Sequence, residues 1–195
     1  MFISFAGIDG SGKTTQIQLL EAYFQNQNTQ VFVSKAYTTK EKELFGEYMQ
    51  KIDQRSILFL FQAFHVEQYL KAKDALEKHQ VVIADRWDES YLAYHSTYGV
   101  LSKEEELRER INLLAFQGLK PDVCFLMDID PQTARHRTSQ RGQDYFDKLS
   151  FTYHSDMVNA YRKLATEHGW VVLYSNKKPK DIHQEVIDYL RNHFK

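Results

Sequence analysis

Short apolar runs alternate along this chain with longer segments whose apolar residues recur at helical spacing. The runs predict five strands, at residues 2–7, 30–34, 80–85, 122–130 and 170–175. The intervening segments predict helices at 13–27, 40–50, 56–79, 89–98, 103–117, from Pro131 onward, 147–168 and 181–192. Most of the strands are apolar on both faces, which is typical of a parallel sheet covered on both sides. The pattern therefore predicts an α/β fold with a five-stranded parallel sheet and helices on both faces.

Composition narrows the class of protein. The length of 195 residues suits one domain, and no linker or internal repeat interrupts residues 1–195. A hydrophobic fraction of 43% is typical of a globular protein. The formal net charge of -1 leaves no cationic surplus for a phosphate backbone, so we expect no nucleic-acid partner. The lone Cys124 and the lack of a membrane-length apolar run or a signal peptide favour a cytoplasmic protein without a membrane partner.

The segment FAGIDGSGKTTQ, residues 5–16, joins the first predicted strand to the first predicted helix. Residues 7–14 match the phosphate-binding pattern G-x-x-x-x-G-K-[ST] in the strand–loop–helix context that it requires. Glycines let backbone N–H groups surround a phosphate, Lys13 can reach the terminal phosphates, and the Thr14 hydroxyl can ligate Mg²⁺. The segment predicts a P-loop NTPase-type fold that binds a nucleotide through Gly7, Asp9, Gly10, Ser11, Gly12, Lys13, Thr14 and Thr15.

A second phosphate-binding group follows the third predicted strand, where Asp85 and Arg86 stand side by side. A carboxylate at a strand end can hold Mg²⁺ through water, and an arginine is a rigid fork suited to phosphate oxygens. Ligands of doubly wound sheets bind at the carboxyl ends of strands, so both phosphate-binding groups belong to one edge. This arrangement indicates a phosphoryl donor and a phosphorylated acceptor. A structural Asp–Arg pair at the surface is the alternative interpretation.

Three segments of the chain resemble bacterial thymidylate kinases. FAGIDGSGKTTQ is similar to their phosphate loop FEGIDGSGKTTQ, and DRWDESYLAY at residues 85–94 resembles their D-R-Y-x-x-S-x-x-A-Y. LAFQGLKPDVCFLMDIDP at residues 114–131 is similar to their L-A-x-x-G-L-x-P-D-x-x-x-x-L-D-x-x-P. The resemblance covers nearly the whole chain in order. It implies transfer of the γ-phosphoryl group of ATP to thymidine monophosphate (dTMP), with Mg²⁺, by a homodimer.

The resemblance also implies roles for individual residues. Lys13 and Thr14 would serve the ATP phosphates and Mg²⁺. Asp9, inside the loop, would face the acceptor sugar and the metal. Arg86 would hold the acceptor phosphate, and Tyr94 would line the pocket for the sugar and base.

The polar stretch at residues 138–148 is predicted to be a lid that closes over ATP. Arg137 and Arg141 match arginines of the bacterial lid, which would neutralise charge during phosphoryl transfer. Considered without the resemblance, this stretch is equally compatible with a solvated basic loop. The residues expected to take part in catalysis are Asp9, Lys13, Arg86, Arg137 and Arg141.

The acceptor side departs from the family pattern. The family's base-reading arginine falls near Phe64, and Tyr91 replaces a small polar residue of the D-R-Y segment. We expect both aromatic side chains to contact the acceptor, although Phe64 is also compatible with a core position. Stacking tolerates different bases, so the sequence leaves the acceptor base open. A deoxynucleoside kinase and a nucleotide-binding regulator without catalysis are the two alternative functions.

Overall fold

Five parallel strands form one sheet in the order β2-β3-β1-β4-β5 within the described residues. The computed structural model describes residues 1–37, 41, 45–46, 48–78, 80–140 and 149–194. The strands are β1 (Phe2–Ala6), β2 (Val31–Lys35), β3 (Val81–Asp85), β4 (Val123–Asp128) and β5 (Val171–Tyr174). The helices are α1 (Lys13–Gln25), α2 (Gln54–Glu77), α3 (Asp88–Thr97), α4 (Glu105–Phe116), α5 (Pro131–Ser139), α6 (Phe151–His168) and α7 (Pro179–His193). The predicted five-stranded parallel sheet is confirmed.

Strand β1 lies at the centre of the sheet and is buried on both faces. Ile3 and Phe5 belong to one apolar cluster with side chains of α1 and α7. Phe2 faces the other side, where it packs with α2 and α4, and Ala6 packs there with α6. The alternation follows from the two-residue period of a strand, and it confirms that helices cover both faces of the sheet.

The helix boundaries differ from the prediction where a capping side chain decides them. Helix α2 begins at Gln54, two residues before the predicted start, because the Asp53 carboxylate accepts a hydrogen bond from the Arg55 N–H. Helix α6 begins at Phe151 and not at residue 147, because Ser150 caps the Tyr153 N–H. The helix predicted at 40–50 falls partly outside the described residues.

The topology opens a crevice between β1 and β3. The chain leaves β1 toward β2 at one edge of the sheet, and it leaves β3 toward β4 on the other side of β1. Connections that depart in opposite directions from neighbouring strands leave a gap above their carboxyl ends, where ligands of open α/β sheets bind. Phe5 pairs with Asp85 in the β1–β3 register, so both chain segments reach the crevice together.

In the described part of the chain, no helix combines the length and apolar character that a membrane crossing needs.

The turn after β3 is anchored by a buried tryptophan. Trp87 is only 1% exposed, and its ring packs against Phe2 and Phe116 at centroid distances of 4.9 and 4.7 Å. Its indole N–H donates to the Leu119 carbonyl at 3.0 Å. These contacts fix the residue before it, Arg86, which has a φ of 71° in the left-handed region that side chains rarely adopt.

We expect Trp87→Ala to lower the free energy of unfolding by about 3–5 kcal/mol, since it leaves a large cavity in the core and removes the donor to the Leu119 carbonyl. Urea denaturation followed by circular dichroism measures the change. Phe151→Ala is the matched control, because the Phe151 ring is 48% exposed. Equal effects of the two substitutions would contradict the anchoring role of Trp87.

Candidate active site

The loop between β1 and α1 brings the backbone close to neighbouring chain segments. Gly7, Gly10 and Gly12 have positive φ values of 129°, 81° and 93°. A Cβ atom on Gly7 would lie 2.7 Å from the Met127 carbonyl oxygen, and one on Gly10 would lie 2.5 Å from that of Ala134. The loop therefore needs glycine at these positions for both conformation and space.

The first turn of α1 presents donors for an anion. Gly12 caps the helix without a side-chain hydrogen bond, and Thr14 and Thr15 are exposed in the first turn. The unpaired N–H groups of a helix N-terminus and the helix dipole together attract phosphate. Lys13 is only 5% exposed, and its Nζ donates to the carbonyl oxygens of Gly7 (3.0 Å) and Ile8 (2.9 Å). The ammonium group is thereby held directly over the loop.

The guanidinium group of Arg86 reaches the same loop from β3. Its Nη1 donates to the Gly7 carbonyl at 2.6 Å and to the Tyr161 hydroxyl at 3.0 Å. Its Nη2 donates to the Asp9 carboxylate at 2.8 Å. The Gly7 carbonyl thus accepts hydrogen bonds from both Lys13 and Arg86. The two phosphate-binding cations that the sequence predicts meet at one oxygen atom.

The guanidinium group of Arg86 stays protonated although protein atoms surround much of it. Burial disfavours the guanidinium ion, but the Asp9 carboxylate and the nearby Tyr161 raise the pKa of Arg86 well above its usual value. The backbone of Arg86 is held as well, because the buried side-chain amide of Gln68 donates to its carbonyl at 2.9 Å. A fixed, fully charged arginine at the mouth of the crevice suits binding of a phosphate group.

Asp85 ends β3 beside this arginine. Its carboxylate lies 3.5 Å from Lys35 Nζ on the neighbouring strand β2. Mg²⁺ in kinase sites is held by one or two protein oxygens together with substrate phosphates and water, and not by a complete protein cage. The exposed hydroxyl of Thr14 and the carboxylate of Asp85 fit that donor set, whereas the described residues contain no metal cluster built from protein ligands alone.

A cavity of about 130 Å³ opens next to the Asp9–Arg86 pair. Tyr91 and Tyr94 line it, as the sequence predicts for acceptor residues. Tyr94 donates to the Gln54 side chain at 3.3 Å, whereas the buried Tyr91 hydroxyl donates to the Arg108 carbonyl at 2.9 Å. Tyr91 therefore contributes its ring to the wall while its hydroxyl points away toward α4.

Phe64 is not among the residues that line this cavity. Its ring packs against Tyr37 and Phe45 at centroid distances of 5.8 and 5.4 Å. The cavity side of α2 carries Phe61 and His65 in its place. Phe61 and His65 are one helical turn apart, whereas Phe64 is rotated by about 100° from His65 and contacts the Phe61 ring from the side at a centroid distance of 6.4 Å.

Tyr161, Gln68 and His65 belong to the site but are absent from the sequence-based predictions. All three lie on long helices at spacings that ordinary core residues also show. A polar residue inside an otherwise apolar helical stripe, such as Gln68 or His65, is the one local signal that points to them.

Arg137 approaches the phosphate loop from α5. It is exposed, and it donates to the carbonyl oxygens of Gly10 (3.3 Å) and Ser175 (2.9 Å). It therefore links the loop after β1 to the segment after β5. Arg141 and most of the predicted lid, residues 141–148, lie outside the described residues.

A phosphate loop after β1, an arginine after β3 and a parallel sheet in this strand order define a P-loop kinase. The family model described as thymidylate kinase matches residues 5–186. The chain is 36% identical to a probable thymidylate kinase of Methanocaldococcus jannaschii over 98% of this chain and 96% of the relative. It is 34% identical to a thymidylate kinase of Thermosipho melanesiensis over 78% and 82% of the two chains. The chain belongs to the thymidylate kinase family.

Family membership confirms the predicted enzyme class, and with it phosphorylation of dTMP to dTDP by ATP as the reaction. A further thymidylate kinase, from a Thermoanaerobacter species, is 28% identical over 98% of both chains. Relatives from archaea as well as bacteria are found, so the closer resemblance to the bacterial type stays a prediction.

We expect Gly10→Ala to weaken ATP binding at least about tenfold, because the added methyl group collides with the backbone of α5 at a strained φ. Isothermal titration calorimetry with ATP measures the affinity. Gly46→Ala is the matched control, since a Cβ atom there meets nothing within 4 Å. Unchanged affinity in Gly10→Ala would contradict the close approach of loop and helix.

Proposed function

We propose that Lys13 and Arg86 carry out this dTMP kinase reaction by holding the phosphate groups of the two substrates side by side. The observation that supports this most directly is their shared hydrogen bonding to the Gly7 carbonyl. Two cations at one oxygen suit a donor phosphate on the loop and an acceptor phosphate beside it. Phosphate oxygens would replace the carbonyl as hydrogen-bond acceptors when the substrates bind.

In the proposed reaction an oxygen of the dTMP phosphate attacks the γ-phosphorus of ATP. The bond between the γ-phosphorus and its bridging oxygen breaks, and the electron pair leaves with ADP. Lys13, the α1 N-terminus and the lid residues Arg137 and Arg141 would stabilise the charge on the transferred group. Arg86 would fix the acceptor phosphate, with Asp9 setting the direction of its guanidinium group.

The proposed cofactor Mg²⁺ would be held by Thr14 and Asp85 together with the ATP phosphates. When bound, it would supply positive charge to the phosphate oxygens of ATP. The Lys35 contact keeps the Asp85 carboxylate at the crevice, where it is 16% exposed.

A deoxynucleoside kinase would use the same loop but would take an acceptor without a phosphate group. The half-buried Arg86, paired with Asp9 beside the cavity, favours the monophosphate. An ADP-release assay with ATP and Mg²⁺ that compares dTMP with thymidine tests the choice. We expect turnover with dTMP only. Faster turnover with thymidine would favour the nucleoside kinase, and ATP binding without any turnover would favour the catalytically silent regulator.

We expect Lys13→Ala to abolish phosphoryl transfer while the protein stays folded.

We expect Arg86→Ala to weaken binding of the acceptor dTMP and to leave ATP binding nearly unchanged. Loss of the charged hydrogen bonds of Arg86 should raise KM for dTMP about 10- to 100-fold with little change in ATP affinity. Steady-state kinetics and ATP titration separate the two effects.

Two further variants control this experiment. Arg86→Lys keeps the charge without the planar fork and should restore part of the dTMP affinity. Arg191→Ala removes an exposed arginine that contacts Tyr23 on the face of the sheet covered by α1 and α7. This variant should behave as the wild type. An Arg86→Ala variant that loses ATP and dTMP affinity equally would contradict the assigned role.

We also propose that the chain acts as a cytoplasmic, single-domain homodimer, as the family resemblance implies. Phe59, Val66 and Leu70 form an exposed apolar stripe along α2, where a second copy could pack. We expect sedimentation velocity to give a dimer and Phe59→Glu to shift it to monomer. A wild-type protein that stays monomeric at micromolar concentration would contradict this proposal.

A further inference from the structure

One face of α2 forms a wall of the acceptor cavity. The residues on this face are Gln54, Ile57, Leu58, Phe61, His65 and Gln68. Gln68 marks the phosphate end, because its side chain holds the Arg86 carbonyl. His65 follows three residues toward the helix N-terminus, a rise of about 4.5 Å, and Phe61 comes one turn further. A nucleotide with its phosphate at Arg86 would therefore extend its sugar and base along His65 and Phe61.

The His65 imidazole contains a buried nitrogen that lacks a hydrogen-bond partner among the described residues. The residue is 8% exposed, and its Nδ1 has no hydrogen-bond partner in the described part of the chain. Its ring lies among aromatic rings, at centroid distances of 5.1 Å from Phe116 and 6.3 Å from Tyr91. Burial and the neighbouring His95 lower the pKa of His65 to about 3, so the ring is neutral near pH 7. A neutral imidazole offers one donor and one acceptor, and its tautomer decides which nitrogen donates and which accepts.

Not every other polar group of the cavity is engaged, since His95 Nδ1 and His154 Nε2 also lack a hydrogen-bond partner among the described residues. A Cβ atom on Gly99 would lie 1.8 Å from His95 Nδ1, so the backbone there holds the His95 ring in place. The Tyr91 hydroxyl is bonded to a backbone carbonyl of α4. Arg86 is the one arginine or lysine among the described lining residues, and it is paired with Asp9 at the phosphate end. Among the described lining residues, the base end therefore has no lysine or arginine, a group that could only donate.

We propose that His65 reads the 4-position of a pyrimidine base and that its two tautomers admit dCMP as a second acceptor beside dTMP. Thymine presents a hydrogen-bond acceptor at this position, whereas cytosine presents an amino donor. A guanidinium group could serve thymine alone, but an imidazole can donate to one base and accept from the other. This inference rests on the proposed dTMP kinase function, since the same phosphate and sugar contacts must position both nucleotides.

The test measures ADP release by the wild-type protein with dTMP, dCMP, dAMP and dGMP. We expect kcat/KM for dCMP to reach at least about one hundredth of the value for dTMP, because no donor-only group opposes the cytosine amino group among the described lining residues. A value below that fraction, with dTMP turnover intact, overturns the inference and leaves the dTMP kinase assignment standing. No turnover with any monophosphate overturns both.

Substitutions at His65 test the residue itself. His65→Arg supplies donors only, so the ratio of kcat/KM for dCMP to that for dTMP should fall at least about tenfold. His65→Gln keeps one donor and one acceptor group and should keep the wild-type ratio. His65→Phe removes both and should raise KM for both nucleotides by similar factors while kcat changes little.

The exposed His168, whose ring stacks on Trp170 at 5.8 Å, provides the matched control His168→Gln. Circular dichroism confirms that each variant is folded before its kinetics are compared. If His65→Arg fails to fold, His65→Phe and His65→Gln still test whether His65 contacts the base. An unchanged KM for both nucleotides in His65→Phe would overturn the role of His65.

Discussion

The carbonyl oxygen of Gly7 is the point on which the site depends. It accepts hydrogen bonds from Lys13 on one side and from Arg86 on the other. A carbonyl oxygen has two lone pairs and can serve both, and the Asp9 carboxylate balances part of the combined positive charge. The site therefore holds two cations close together before any phosphate arrives. Such preorganised charge would need little rearrangement if, as proposed, phosphate oxygens take the place of the carbonyl.

Holding the arginine in this position places demands on the rest of the fold. Arg86 occupies a left-handed backbone conformation that is unfavourable for a non-glycine residue. The Gln68 amide, the Trp87 ring and the start of α3 together compensate for it. Asp88 in the first turn of α3 is buried and pairs with Lys120, which ties that helix to the segment before β4. The active-site corner is rigid because several elements on one face of the sheet converge on it.

The sequence predicted the parts of this site that depend on local spacing. The phosphate loop is defined by backbone geometry within a few residues, so its glycines and Lys13 can be read from the chain alone. Arg86 follows a buried strand and could be placed by the rule for strand ends. Tyr161 comes from a helix about 75 residues further on, and nothing in its local pattern indicates that it binds Arg86. The prediction that Phe64 contacts the acceptor shows how far sequence spacing can place a helical residue. A shift of one position, from Phe64 to His65, rotates the side chain by about 100° around the helix.

The two ends of the cavity differ in charge. The phosphate end carries the full charge of Arg86, which Asp9 supports against the effect of burial. The other end is enclosed by aromatic rings, and the same burial lowers the pKa values of His65 and His95 to about 3 and 4, so that both stay neutral. An unpaired cation would be costly in that environment, whereas a neutral polar ring is tolerated and can still form a hydrogen bond. Under the proposed function, charge would position the nucleotide and uncharged groups would distinguish its base.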